Sequence, residues 1–180
     1  MTAPLKIRRA QRKKAKLRLA LCGPSGSGKT YSALLIASGL GKKIAVIDTE
    51  NCSADYYANI VEFDVVDLTP PYSPQRYIEA IEMLEKAGYD VIIIDSLSHA
   101  WSGEGGVLNM HDRAARQTKN NFTAWRDVTP FHNKLVEKML NSSAHIIVTI
   151  RAKTEYVYDE NSRKVQKLGM APIQRDGLEY

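Results

Sequence analysis

The eight residues from Gly23 to Thr30, GPSGSGKT, constrain this chain more than any other stretch. They fit the spacing G-x-x-x-x-G-K-[ST] with no mismatch, between an alternating apolar run, Leu17 to Cys22, and a helix-like run, Tyr31 to Gly39. A strand that turns through glycines into a helix aims successive backbone N–H groups at one point, at the helix end that carries partial positive charge. Gly23, Gly26 and Gly28 permit the backbone angles this requires. The stretch therefore predicts a nucleoside triphosphate site built from Gly23, Pro24, Ser25, Gly26, Ser27, Gly28, Lys29, Thr30 and Tyr31. Lys29 is expected to reach the β and γ phosphates, and the Thr30 hydroxyl to serve as a ligand for Mg²⁺.

At 180 residues the chain suits one α/β domain with a core that needs no disulfide or metal. Its two cysteines, Cys22 and Cys52, are too few for a disulfide framework and read as small buried thiols of a reducing compartment. The longest wholly aliphatic run, Val91 to Ile94, is far below membrane-spanning length, and no signal-peptide core follows the basic N-terminus. A soluble cytoplasmic protein is expected, with no membrane partner. The net charge of +5 is uneven: residues 1 to 18 hold eight cations and no acid, leaving 17 cations against 20 acids in the rest. Residues 1–15 are thus a basic arm on a slightly acidic body, suited to nucleic acid, to a neighbouring subunit or to solvent alone.

The chain then alternates strand and helix signals. Leu17, Leu19 and Leu21 alternate as in a strand with one buried face, and the next helix offers Leu34, Leu35, Ile36 and Leu40 for packing before Gly39 and Gly41 stop it. Ile44 to Ile47 is a buried strand ending in Asp48-Thr49-Glu50. Ligands sit beyond the carboxyl ends of strands in open parallel sheets, so these acids should face the nucleotide. Val61 to Leu68 is a short strand-like run, the Pro70-Pro71-Tyr72-Ser73-Pro74 cluster a turn, and Gln75 to Ala87 a helix with Tyr77, Ile78, Ile81 and Leu84 inward. Val91 to Ile94 reads as a strand covered on both faces, and Asp95 at its tip is the second expected holder of the Mg²⁺ shell.

From Leu97 to Pro130 the pattern weakens. Gly103, Gly105 and Gly106 are expected to loosen the backbone, and a polar, basic stretch from His111 to Arg126 reads as mobile loops with one or two surface helices. Arg113, Arg116, Lys119 and Arg126 with Phe122 and Trp125 combine cations and flat rings, as single-stranded nucleic acid binding does and as a solvated helix with two core aromatics also would. Pro130 is expected to open a helix through Leu140, with Leu135, Val136, Met139 and Leu140 inward. Ala144 to Ile150 is a further strand, and Glu155 to Asp159 with Lys164 to Leu168 form a hairpin. None of His99, His111, His132 and His145 pairs at ligand spacing with Cys or another His. Asn133-Lys134-Leu135-Val136 lacks the Asp that would read guanine, which favours adenine.

The set Gly23 to Thr30, Ile47 to Glu50, Ile92 to Ser96, Thr149 to Tyr156 and Gln174 to Tyr180 resembles the RecA-like branch of phosphate-loop ATPases, in particular the small phage and prophage ATPases of single-strand annealing recombination. The resemblance covers residues 16–180. It implies an α/β, RecA-like P-loop NTPase fold, a mostly parallel central sheet with helices on both faces and a C-terminal β-hairpin. It also implies a chain cut at its C-terminal edge, since the family pattern continues there as a strand. In that family a glutamate beyond the second strand polarises the attacking water, and Glu50 matches it. A glutamine that senses the γ phosphate is replaced here by Thr149. The implied activity is Mg²⁺-dependent ATP hydrolysis, stimulated by single-stranded DNA and by assembly into an oligomer or filament. The catalytic candidates are Glu50, Lys29, Arg151 and Lys153, with Arg175 a further source of a cationic finger. A small-molecule kinase and a nucleotide-gated module with negligible turnover remain as other readings.

Overall fold

A computed structural model describes residues 7, 9–11, 14–159 and 164–175, with the backbone alone for 156–159 and 164–168. Of the basic arm, residues 1–6, 8, 12 and 13 lie outside the described residues, as do the hairpin tip 160–163 and the stretch 176–180.

The apolar runs form five parallel strands in the order β1 (Arg18–Gly23), β5 (His145–Asp159), β4 (Val91–Asp95), β2 (Ile44–Asp48) and β3 (Asp64–Asp67). Side chains alternate faces along a strand, so each continuous apolar run feeds two cores. Ala45, Ile47, Ile92, Ile94, Ile146, Val148 and Ile150 pack with α2 (Pro74–Lys86) and the C-terminal half of α5 (Asn121–Leu140). Ile44, Val46, Val91, Ile93 and Ile147 pack with α1 (Lys29–Ser38) on the other face. Beyond Arg151, β5 leaves the parallel sheet and pairs antiparallel with β6 (Lys164–Pro172), Asp159 opposite Lys164. The expected α/β architecture, with helices on both faces and a C-terminal hairpin, is the one observed.

Several local expectations fail for identifiable reasons. α1 meets the sheet through Ala33, Leu34 and Ala37, whose small side chains let it come close, while Leu35 and Ile36 are exposed and Leu40 is half-buried. Cys22 and Cys52 are exposed free thiols, because β1 is an edge strand and Cys52 sits in a left-handed turn at φ 60°. Pro130 does not open a helix. α5 begins nine residues earlier, where the Asn120 side chain accepts hydrogen bonds from the N–H groups of Phe122 (2.9 Å) and Thr123 (3.3 Å). Pro130 lies on the exposed side of the helix, where water can serve the carbonyl it leaves unpaired. Of the α5 residues expected inward, Leu135 and Met139 are buried, Val136 is half-buried and Leu140 is exposed.

The region expected to hold mobile loops with one or two surface helices is three helices: α3 (Ser98–Ser102), α4 (Val107–Thr118) and α5. Its glycines tighten the chain instead of loosening it. A Cβ on Gly103 would lie 2.6 Å from the His99 carbonyl oxygen, and one on Gly105, at φ +75°, 2.4 Å from Pro71 Cβ.

Candidate active site

The tips of β1, β4 and β2 bring the sequence-predicted residues to one end of the sheet. Gly26 (φ 74°) and Gly28 (φ 80°) take left-handed backbone, which turns the loop after β1 into α1. Gly23 is needed for space, since a Cβ there would stand 2.6 Å from Ser27 Oγ. Pro24, Ser25 and Ser27 are exposed. Lys29 Nζ donates to the Pro24 carbonyl at 2.8 Å, bent back along the loop it would leave to reach a phosphate. Tyr31, 40% exposed, packs against Tyr57 with ring centroids 6.0 Å apart.

Thr30 and Asp95 meet directly. The Thr30 hydroxyl donates to Asp95 Oδ2 at 2.5 Å, and the Thr149 hydroxyl donates to Asp95 Oδ1. Asp95 is 3% exposed and Thr149 wholly buried, so the carboxylate is held by two hydroxyls at the end of an apolar strand. An oxygen-only set of this kind suits Mg²⁺, a hard cation that keeps several of its waters.

Glu50 stands one strand away. Its backbone N–H donates to Asp48 Oδ1 at 2.5 Å, and Ala54 N–H donates to Asp48 Oδ2 at 2.9 Å. Asp48 thus ties down the loop that carries Glu50. Burial pushes the Asp48 carboxyl above its ordinary value, against those two hydrogen bonds, with Asp95 and Asp67 adding to the rise. The Glu50 carboxylate is gripped by Arg151, whose Nε donates to Oε1 at 2.7 Å and whose Nη2 donates to Oε2. Burial would raise the Glu50 carboxyl, but the Arg151 hydrogen bonds and charge hold it below the ordinary carboxylate value. Arg151 is fixed in turn by its register opposite Gly23 and by its N–H, which donates to Ser98 Oγ at 2.9 Å.

Lys153 is exposed, two residues along β5 where the strand has joined the hairpin, and forms no ion pair among the described residues. Arg175 packs on Trp125, its guanidinium carbon 5.7 Å from the centre of the ring. Trp125 also stacks on His111 (4.1 Å, 24°) and Trp101 (5.9 Å, 16°), so it is committed to internal packing, whereas Phe122 is 86% exposed. Exposed Arg113, Arg116, Lys119 and Arg126 surround that tip of the α4–α5 hairpin.

The sequence signals missed four roles: Thr149 as a partner of Asp95, Asp48 as a loop anchor, and the contacts of Ser98 and His99. Asp48 carries a local trace, a carboxylate two residues before the Glu50 amide it accepts from. The others had none, because their partners lie some fifty residues away in the chain. An apolar cavity of about 400 Å³ between β1, β5 and α5, bounded by residues such as Ala20, Met139, Leu140 and Pro172, includes none of the loop residues 23–30. Its lining does not suit a triphosphate, which binds to backbone N–H groups and cations at the surface.

No helix of the described residues is long and apolar enough to cross a membrane. Among the described residues no group of His, Cys, Asp and Glu is placed to cage a metal ion. No curated protein matches the chain. The family model described as AAA domain matches residues 15–179, and it agrees with the glycine loop, the parallel sheet and the carboxylate at the β4 tip: the chain belongs to the AAA domain family of P-loop nucleotide-binding NTPases.

Proposed function

We propose that this chain is a Mg²⁺-dependent ATPase of the RecA-like kind, coupled to single-stranded DNA through the basic arm and the α4–α5 tip. The observation that carries the reading is the convergence of three tips, with the Thr30 hydroxyl on Asp95 and the Glu50 carboxylate on the neighbouring strand. Loop amides and Lys29 would hold the phosphates. Thr30 and Asp95 would hold Mg²⁺, which supplies neutralisation of charge developing on the phosphate oxygens. Glu50 orients water for in-line attack on the γ phosphorus and takes its proton, the bond from that phosphorus to the β–γ bridging oxygen breaks, and ADP and phosphate leave. Arg151 is the cation best situated to stabilise the transferred group, and it must first release Glu50.

That ion pair also favours a second reading, a nucleotide-gated assembly module with negligible turnover, since the residue that would orient water is already engaged. Phosphate release from ATP, measured with and without single-stranded DNA for the wild type, Lys29→Ala and Glu50→Gln, separates the two. The ATPase reading expects DNA-stimulated turnover that both variants lose, with ATP binding retained in Glu50→Gln. Tight ATP binding with no turnover under any condition supports the module.

A further inference from the structure

We propose that His99 is a positioning residue for Glu50, acting through the Thr49 hydroxyl. The inference rests on the reading of Glu50 as the residue that orients water. Thr49 immediately precedes Glu50 and is 3% exposed. Its N–H donates to the Asp95 carbonyl at 2.7 Å, which ties the β2 tip to the β4 tip. Its hydroxyl accepts from Ser96 N–H at 2.8 Å, lies 3.2 Å from the Ser96 carbonyl oxygen, and lies 2.8 Å from His99 Nδ1. A hydroxyl has one proton. Thr49 gives it to Nδ1 when that nitrogen is bare and to the Ser96 carbonyl when Nδ1 carries its own, so the ring bonds Thr49 in both tautomers.

The ring is held from behind. Tyr72 stacks on it with centroids 4.8 Å apart and planes at 23°, and Tyr72 N–H donates to the Glu104 carbonyl at 2.6 Å. The turn 103–106 closes on the His99 backbone: Gly103 N–H donates to its carbonyl at 2.9 Å, and a Cβ on Gly106 would stand 2.7 Å from the same oxygen. Backbone and ring are therefore clamped while one nitrogen reaches toward the Glu50 loop. A ring needed only to fill space against Tyr72 would not need that nitrogen.

Two substitutions separate the contacts. His99→Phe keeps a ring on Tyr72 and removes the nitrogen, whereas His99→Asn places an amide near the position of Nδ1 and gives up most of the stack. Steady-state ATP turnover is expected to show kcat lowered roughly 10- to 100-fold in His99→Phe, the scale of a slightly misplaced group, with KM for ATP and Tm near wild type. His99→Asn should recover most of that loss. Thr49→Val should lower kcat at least as far as His99→Phe, since it also takes the acceptor from Ser96 N–H, and the double variant should be no worse than Thr49→Val, because the two share the His99 contact. Wild-type kcat in His99→Phe overturns the proposal, as does equal loss in Phe and Asn accompanied by a lower Tm. Should His99→Phe fail to fold, His99→Leu against His99→Asn carries the same contrast, with kcat lost and kept respectively. Glu50→Gln is run beside them: full turnover there overturns the reading of Glu50 itself, whereas a dead Glu50→Gln with an active His99→Phe overturns the role of His99 alone.

Discussion

Arg151 and Glu50 are each other's partner. They stand 101 residues apart in sequence and meet as a two-point ion pair where β5 leaves the parallel sheet and just beyond the tip of β2, with Glu50 21% and Arg151 43% exposed at the side chain. The geometry is the planar fork on a carboxylate for which arginine is suited. It joins the two residues that phosphoryl transfer would use separately, one on water and one on phosphate. Lys29 is likewise bonded to its own loop, so on the proposed reading nucleotide binding exchanges these internal contacts for contacts to phosphate.

Arg151→Met tests the electrostatics of that pair. It removes the hydrogen bonds and charge that hold the Glu50 carboxyl below its ordinary value of 4.5 and leaves the burial that pushes it up. In the wild type, Glu50 contributes stability that is present above the unfolded value and lost as pH falls through the lower folded one. In the variant the folded value moves up, so that stabilisation shrinks at neutral pH and the difference from wild type fades on acidification. Urea midpoints from about pH 3 to pH 7 should show the variant furthest below wild type at the neutral end and converging toward the acid end.

Glu50→Gln should lower kcat about 10²- to 10⁴-fold, the usual contribution of a residue that takes part in proton transfer, while the Kd for ATP stays within a few-fold of wild type. Single-turnover phosphate release and a nucleotide-binding titration read the two quantities independently.

Asp95→Asn keeps a carbonyl to accept from one threonine but removes the negative charge. The fold should survive, and half-maximal ATP binding should move to higher Mg²⁺ concentration. Asp95→Ala leaves the buried Thr149 hydroxyl without its acceptor and should cost about 1–3 kcal/mol in addition. Magnesium titrations and chemical denaturation distinguish the two variants.

Gly105→Ala sets a Cβ against Pro71 in backbone that disfavours side chains. We expect a loss of about 1–3 kcal/mol, and roughly 2–4 °C of Tm for each kcal/mol in a chain of this size. Gly26→Ala meets open space at a similar φ, so its thermal shift should be the smaller although it stands in the phosphate loop.

Phe122→Ala should leave Tm unchanged and weaken single-stranded DNA binding by about 1–3 kcal/mol, since the ring is exposed and free to stack on a base. Trp125→Ala should lower Tm instead, because its ring lies among His111, Trp101 and Arg175. Binding that engages four phosphates should fall with salt at a log–log slope of about −2.8. Fluorescence anisotropy at several salt concentrations checks both.

Where the responsible contacts are local, the sequence was a sufficient guide. The glycine loop, the Val91–Asp95 strand, the α2 helix with its buried Tyr77, Ile81 and Leu84, and the C-terminal hairpin all follow from patterns within a dozen residues. It misled where a tertiary neighbour decides: Gly103 and Gly105 read as flexible until Tyr72 and Pro71 are against them, and Pro130 reads as a helix start until Asn120 has already capped α5.

By itself the sequence determined that a phosphate loop stands between a strand and a helix, that apolar runs make a sheet covered on both faces, and that Glu50 and Asp95 close two of its strands. These are consequences of backbone permissiveness and of side-chain period, which act along the chain. Only the tertiary structure decided that Arg151 lies on Glu50 while Arg175 packs on Trp125, that Thr149 shares Asp95 with Thr30, and that His99 reaches Thr49. Each depends on strand order and on which residues fifty or a hundred positions apart become neighbours, and no local pattern encodes that distance.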